Sequence, residues 1–267
     1  MGQRIIQVDA FTDRRFTGNP AAVCILPEPA EDDWMQDVAS EMNLSETAFA
    51  YRLDGGTFNL RWFTPNSEVD LCGHATLATS HVLWEESFLE RGQAARFETR
   101  SGLLTARQGP DGIELDFPCD PVGSEVSTDE ERSILRSAIP ARIRFAGRSR
   151  FDLLVELDGE EDVRALRPDI RRLEQLPVRG IIVTSRSSST EYDFVSRFFA
   201  PRVGVDEDPV CGSAHCCLGP YWREKLGRAE LTGRQVSRRG GVVKVRVEDS
   251  RVALIGRAVT VLRGELV

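Results

Sequence analysis

Two Cys-Gly pairs are the residues of this sequence best placed for chemistry. Cys72-Gly73-His74-Ala75 follows Arg61-Trp62-Phe63-Thr64-Pro65, and Cys211-Gly212-Ser213-Ala214 follows Arg197-Phe198-Phe199-Ala200-Pro201. Each reads as an aromatic strand ending at proline, then a loop, then a helix opened by Cys-Gly. A helix start carries unpaired N–H groups and partial positive charge, so each pair is a candidate carboxylate cradle at Gly73 and at Gly212-Ser213. A thiol at that position is also expected to have a lowered pKa. Cys72 and Cys211 are therefore candidate bases for a two-base racemisation, unless they are small buried apolar residues.

Other polar residues break this symmetry. His74 follows the first Cys-Gly, where the second has Ser213, and Asp208 precedes the second at an Asp-Pro turn. Glu46 lies where a helix hands over to a strand. A carboxylate in such an apolar junction tends toward a raised pKa, suited to proton transfer at neutral pH; otherwise it is a strand-edge acid facing water. Aligning the halves sets Glu46 opposite Gly180, give or take one residue, so the acid belongs to one half only. Cys211, His215, Cys216 and Cys217 lack paired metal-ligand spacing, and no metal is expected.

The elements that must carry these residues repeat as well. Each half reads strand, strand, helix, strand, strand, central helix, strand pair. Trp34, Val38 and Met42 mark an amphipathic helix after Glu31-Asp32-Asp33, and Ile170, Leu173 and Leu176 mark its counterpart from Pro168. Strands follow over 47–52 and 180–185. Central helices are expected over 73–86 and 212–225, the second kinked by Pro220 and stopped by Gly227. Thr128-x-x-Glu131 reads as a capping box. The Pro-, Gly- and acid-rich segment 118–130 marks the boundary between residues 1–118 and 119–256. The last strand, 257–262 within 257–267, is placed to cross back to the first domain. The fold class is mixed α/β of the α+β type.

The 267 residues carry a net charge of −8, with 41% hydrophobic and 28% charged residues. The arginines of 142–150 are balanced by nearby acids and read as a solvated face, so nucleic acid is not an expected partner. No apolar run could span a membrane and no signal-peptide pattern opens the sequence. Six cysteines without a secretion signal fit free thiols in a cytoplasmic protein.

The sequence resembles the phenazine-biosynthesis PhzF-like family, whose fold is that of diaminopimelate epimerase. The resemblance is carried by Gln7-Val8-Asp9-Ala10-Phe11, Phe16-Thr17-Gly18-Asn19-Pro20-Ala21-Ala22-Val23, Asn43-Leu44-Ser45-Glu46-Thr47-Ala48-Phe49, Leu71-Cys72-Gly73-His74-Ala75-Thr76-Leu77-Ala78 and Asp208-Pro209-Val210-Cys211-Gly212-Ser213-Ala214-His215. It implies two duplicated domains, each a largely antiparallel mixed sheet wrapped around a central helix, with the active site in the cleft between them. It implies a cofactor-independent isomerase of small carboxylic acids, usually a homodimer. The family's acid/base glutamate falls on Glu46, and its substrate-contacting histidine and aspartate fall on His74 and Asp208. The carboxylate-holding amides fall on Gly73, Gly212 and Ser213, and Asn19 matches the loop lining the cleft. Cysteine at both cradles departs from the PhzF pattern and is similar to the epimerases and proline racemases of the same fold. A two-cysteine racemase is therefore the alternative function. A metabolite-binding protein without catalysis is a lesser one.

Overall fold

A computed structural model of the protein describes residues 2–126 and 128–267. Met1, before the expected first strand, and Ser127, in the expected boundary, lie outside the described residues. The chain divides into two compact units: residues through Phe117 together with Ala253–Val267, and Pro118–Val252.

The first unit runs β1 (Gln3–Ala10), β2 (Asn19–Leu26), α1 (Asp32–Met42), β3 (Glu46–Arg52), β4 (Phe58–Phe63), β5 (Glu68–Val69), α2 (Gly73–Glu85), β6 (Ala95–Thr99), β7 (Gly102–Gly109) and β8 (Gly112–Pro118). The second runs β9 (Ser124–Glu125), α3 (Asp129–Ala138), β10 (Ile143–Arg148), β11 (Asp152–Leu157), α4 (Glu160–Ala165), α5 (Ile170–Leu173), β12 (Gly180–Arg186), β13 (Phe194–Ala200), β14 (Val205–Asp208), α6 (Gly212–Leu226), β15 (Glu230–Gln235) and β16 (Gly241–Glu248), and β17 (Arg251–Gly256) starts in it and passes into the first unit at Ala253. Then β18 (Ala258–Leu266) pairs antiparallel along the whole of β1, within the first unit.

The strand pairings repeat one for one. β1 and β2 are antiparallel, β2 and β3 parallel, β3 and β4 antiparallel, β4 and β6 parallel, and β6 and β7 antiparallel. The same sequence of directions joins β10, β11, β12, β13, β15 and β16. Each parallel step needs a crossover: α1 and α2 supply the two of the first unit, and α4 with α5, then α6, supply the two of the second. The helix expected from Pro168 is only the short α5, and a further helix that was not expected, α4, precedes the proline. Leu166 leaves the helical conformation at φ −53° and ψ 131°, and Asp169 caps α5 by accepting from the Arg172 N–H. The Thr128 cap forms as expected, its side chain accepting from the Glu131 N–H at 3.2 Å.

In the first unit, Phe49 and Phe63 pack with Ala22, Cys24, Met35, Val38 and Ala39 under α1; Trp34 and Met42 lie at the margin of this cluster. Alternate residues of β3, namely Glu46, Ala48 and Ala50, point to the opposite face. There α2 packs on β1, β2 and β3. Every residue of α2 from Gly73 to Trp84 except His81 is buried, which explains its lack of an amphipathic stripe. Its interior hydroxyls are satisfied locally: Thr76, Thr79 and Ser80 donate to the carbonyls of Cys72, Ala75 and Thr76 at 2.5, 2.7 and 2.7 Å. In the second unit, α6 continues through Pro220 and ends at Gly227, left-handed at φ 70°. Among the described residues no helix is long and apolar enough to cross a membrane.

Candidate active site

Glu46 owes its position to the turn before it. Asn43 adopts a left-handed conformation, its N–H bonding to the Ala39 carbonyl, and this stops α1. Two residues later Ser45 leads into β3, with Glu46 beside Ala21 of β2 in parallel register. The first turn of α2 brings His74 up to it. The Glu46 Oε2 and His74 Nε2 atoms lie 3.0 Å apart, with the histidine side chain buried and the glutamate 18% exposed. Both atoms are buried, yet neither makes a well-directed hydrogen bond, to the other or elsewhere. A buried donor and a buried acceptor left in this state are available to a third group.

The rest of the cluster sits on the other edge of the imidazole. Asn19, wholly buried, places Nδ2 3.1 Å from His74 Nδ1, and Cys72 Sγ lies 3.5 Å from the same nitrogen. Ser45 Oγ donates to Asn19 Oδ1 at 3.0 Å. Burial disfavours a charged ring at His74; ionised Cys72 and Glu46 together would outweigh it and raise the ring's pKa, but a neutral Cys72 thiol removes the larger of these two pulls.

The thiols behave differently from the expectation. Burial, and secondarily the Glu46 carboxylate, raises the Cys72 pKa above its usual value. Burial, and secondarily Asp208, raises that of Cys211 well above it. Desolvation of a thiolate outweighs the helix start. Both are neutral thiols at neutral pH.

The second unit groups Asp208, Cys211, Gly212 and Ser213 around the start of α6. The Cys211 N–H donates to Gln235 Oε1 at 3.0 Å, and Gln235 Nε2 donates to the Asp208 carbonyl at 2.7 Å. The Cys211 sulfur lies 3.3 Å from Ser213 Oγ. His215 donates from Nδ1 to the Cys211 carbonyl at 2.7 Å, and burial pushes its pKa down to about 4. Register fixes the internal correspondence. Glu46 pairs with Ala21 as Gly180 pairs with Asp152, and Thr47 pairs with Phe63 as Ile181 pairs with Phe199. Gly180 therefore holds the position of Glu46. Arg179, just before it, binds Asp152 through Nε at 2.9 Å and Nη2 at 2.5 Å.

Structure thus gathers Asn19, Glu46, Cys72, Gly73 and His74 in the first unit, and Asp208, Cys211, Gly212 and Ser213 in the second. Sequence reasoning missed Ser45 and Gln235. The signal for Ser45 is its place between a helix stop and the acid. Gln235 gives only a polar residue at the end of an alternating strand. Among the described residues, Glu46, Cys72 and His74 also form a group whose ligand-type atoms lie within 4.8 Å of one another, a donor set that could accept a soft cation.

The repeated strand directions define a mixed α+β fold built from two like units. A probable proline racemase from Agrobacterium radiobacter shares the fold, with a TM-score of 0.64 at 12% identity over 99% of this chain and 93% of that one. A family model described as phenazine biosynthesis-like protein, PhzC-PhzF, matches residues 8–264, and the chain belongs to that family. It is 55% identical to an uncharacterized isomerase of Halalkalibacterium halodurans, over 98% of this chain and 97% of the relative. The crystal structure of a PhzF family protein from Enterococcus faecalis superposes with a TM-score of 0.93, at 40% identity and complete coverage of both chains.

Proposed function

We propose that this member of an isomerase family moves a proton within a small carboxylic acid, using Glu46 as its single base. Glu46 takes a proton from a carbon activated by neighbouring unsaturation or a carbonyl, and returns it to another carbon on the same face. His74 donates a hydrogen bond from Nε2 to the substrate, and the Gly73 amide at the start of α2 favours its carboxylate. Asp208, Gly212 and Ser213, on the second unit, carry the substrate-holding roles that the family resemblance assigns them. Asn19 lines the site and orients His74.

One observation supports this reading above the others: Glu46 Oε2 and His74 Nε2 are buried 3.0 Å apart with neither committed to a directed hydrogen bond. The raised pKa of both cysteines weighs against the two-thiol racemase. A homodimer in the cytoplasm accompanies the proposal, and sedimentation of the purified protein tests the dimer.

The decisive experiment incubates the protein with a panel of small unsaturated and amino carboxylic acids in D2O. Deuterium should enter a substrate with wild-type protein. Glu46→Gln should lower turnover by on the order of 10²–10⁴-fold without changing the circular dichroism spectrum. Full activity in that variant overturns the assignment of Glu46.

A further inference from the structure

The polar residues around His74 distinguish the halves as a set. By register, Asn19, two residues before Ala21, corresponds to Arg150, two residues before Asp152; Ser45 corresponds to Arg179, and Glu46 to Gly180. The repeated Cys-Gly motif matches His74 with Ser213. The half with no histidine at this place therefore has neither the asparagine, nor the serine, nor the acid. Cys and Gly, by contrast, stand in both halves. A second half with the same strand directions folds without the Asn–Ser pair, so the repeated topology does not require it. What the pair accompanies is the histidine.

Its hydrogen bonds have a direction. Ser45 Oγ donates to Asn19 Oδ1 at 3.0 Å. The amide nitrogen then faces His74 Nδ1 at 3.1 Å, and an amide nitrogen can only donate. Nδ1 must accept with its lone pair. The Cys72 thiol, 3.5 Å from the same atom, is a second donor toward it. The ring proton is left on Nε2, facing Glu46. A proton on Nδ1 would set donor against donor and force the Asn19 amide to turn over.

We propose that Asn19 and Ser45 are positioning residues that hold His74 in its neutral Nε2–H tautomer. The inference rests on the reading of Glu46 as the base and deepens it. In this tautomer His74 offers the substrate a donor and no lone pair, so Glu46 is the one proton acceptor of the pair. The tautomer of a catalytic histidine has large leverage: in the serine protease triad, imposing the wrong one costs on the order of 10⁴-fold in kcat.

The chain has three histidines, His74, His81 and His215, so ring-nitrogen NMR of protein labelled with ¹⁵N-histidine resolves them without substrate. His215 is a built-in standard for the opposite tautomer, because its Nδ1 donates to a carbonyl. Wild-type protein at neutral pH should show His74 protonated at Nε2 and bare at Nδ1, with His215 reversed. Asn19→Asp offers a carboxylate acceptor and should put a proton on His74 Nδ1 while His215 stays unchanged. Should that variant fail to fold, Ser45→Ala, which removes the donor to Oδ1, should give a mixture of His74 tautomers. Proton density on Nδ1 in the wild type, or a His74 pattern unchanged in the variants, overturns the proposal. Because no turnover is read, the result stands apart from the Glu46→Gln test. Survival of the tautomer with full Glu46→Gln activity would sink only the assignment of the base.

Discussion

Glu46 and Gly180 occupy one register position in two copies of the same strand arrangement. The second copy has closed that position. A Cβ on Gly180 would stand 2.2 Å from Cζ of the buried Phe198 ring. Phe198 corresponds to Trp62 of the first unit through the shared Arg-x-Phe-x-Pro pattern.

Gly180 is therefore a packing requirement. Gly180→Ala should destabilise the protein by about 1–3 kcal/mol through overpacking, read as a lower thermal midpoint. Combining it with Phe198→Leu should recover part of that loss, since the two positions are in contact. A midpoint unchanged in Gly180→Ala would show that the ring moves aside at no cost.

Reactivity of the cysteines separates the two candidate mechanisms. Burial raises the pKa of both Cys72 and Cys211, with Glu46 adding to the first and Asp208 to the second. At pH 7 iodoacetamide should modify the half-buried Cys119 first and leave Cys72 and Cys211 largely intact. Their labelling should quicken as the pH rises above 9. Peptide mass spectrometry over a pH series measures this, and rapid labelling of Cys72 and Cys211 at pH 7 would restore the thiol reading.

The acid sensitivity of the fold should carry a signature of His215. Its pKa falls from 6.5 to about 4 because burial disfavours the imidazolium, against the smaller help of the Cys211 carbonyl. An unfolded chain binds a proton here between those two values while the folded one does not. The stability is therefore complete above pH 6.5 and is lost as the pH falls toward 4, by up to ~3 kcal/mol. Urea midpoints at pH 7 and pH 4.5 should differ less in His215→Asn than in the wild type. An equal difference in both proteins would remove His215 from the explanation.

The sequence repeats its elements visibly because each must satisfy local rules. Thr128 caps a helix within three residues of itself, Gly227 stops one, and the Cys-Gly pairs open the two that the sheets enclose. Glu46 stood out because its position in the second half is a glycine. The crossover after β11 was harder to read, since six residues from Glu160 to Ala165 make a helix too short for a periodic pattern. The thiol pKa is not legible from the helix start, which is a local feature, because burial depends on the sheet that covers it. The chain from Ser45 through Asn19 to His74 joins residues 26 and 55 positions apart, and no spacing rule announces such a contact.

The pairing of β18 with β1 has a consequence for how the molecule is made. Residues 3–10 leave the ribosome long before their antiparallel partner at 258–266. The second unit is contiguous in sequence and can condense as soon as Val252 is clear. The unit that holds Glu46 and His74 must wait to close a loop of roughly 250 residues, at an entropic cost that grows only with the logarithm of that length. Synthesis therefore places the acid–imidazole pair in its finished frame only once β18 has been made.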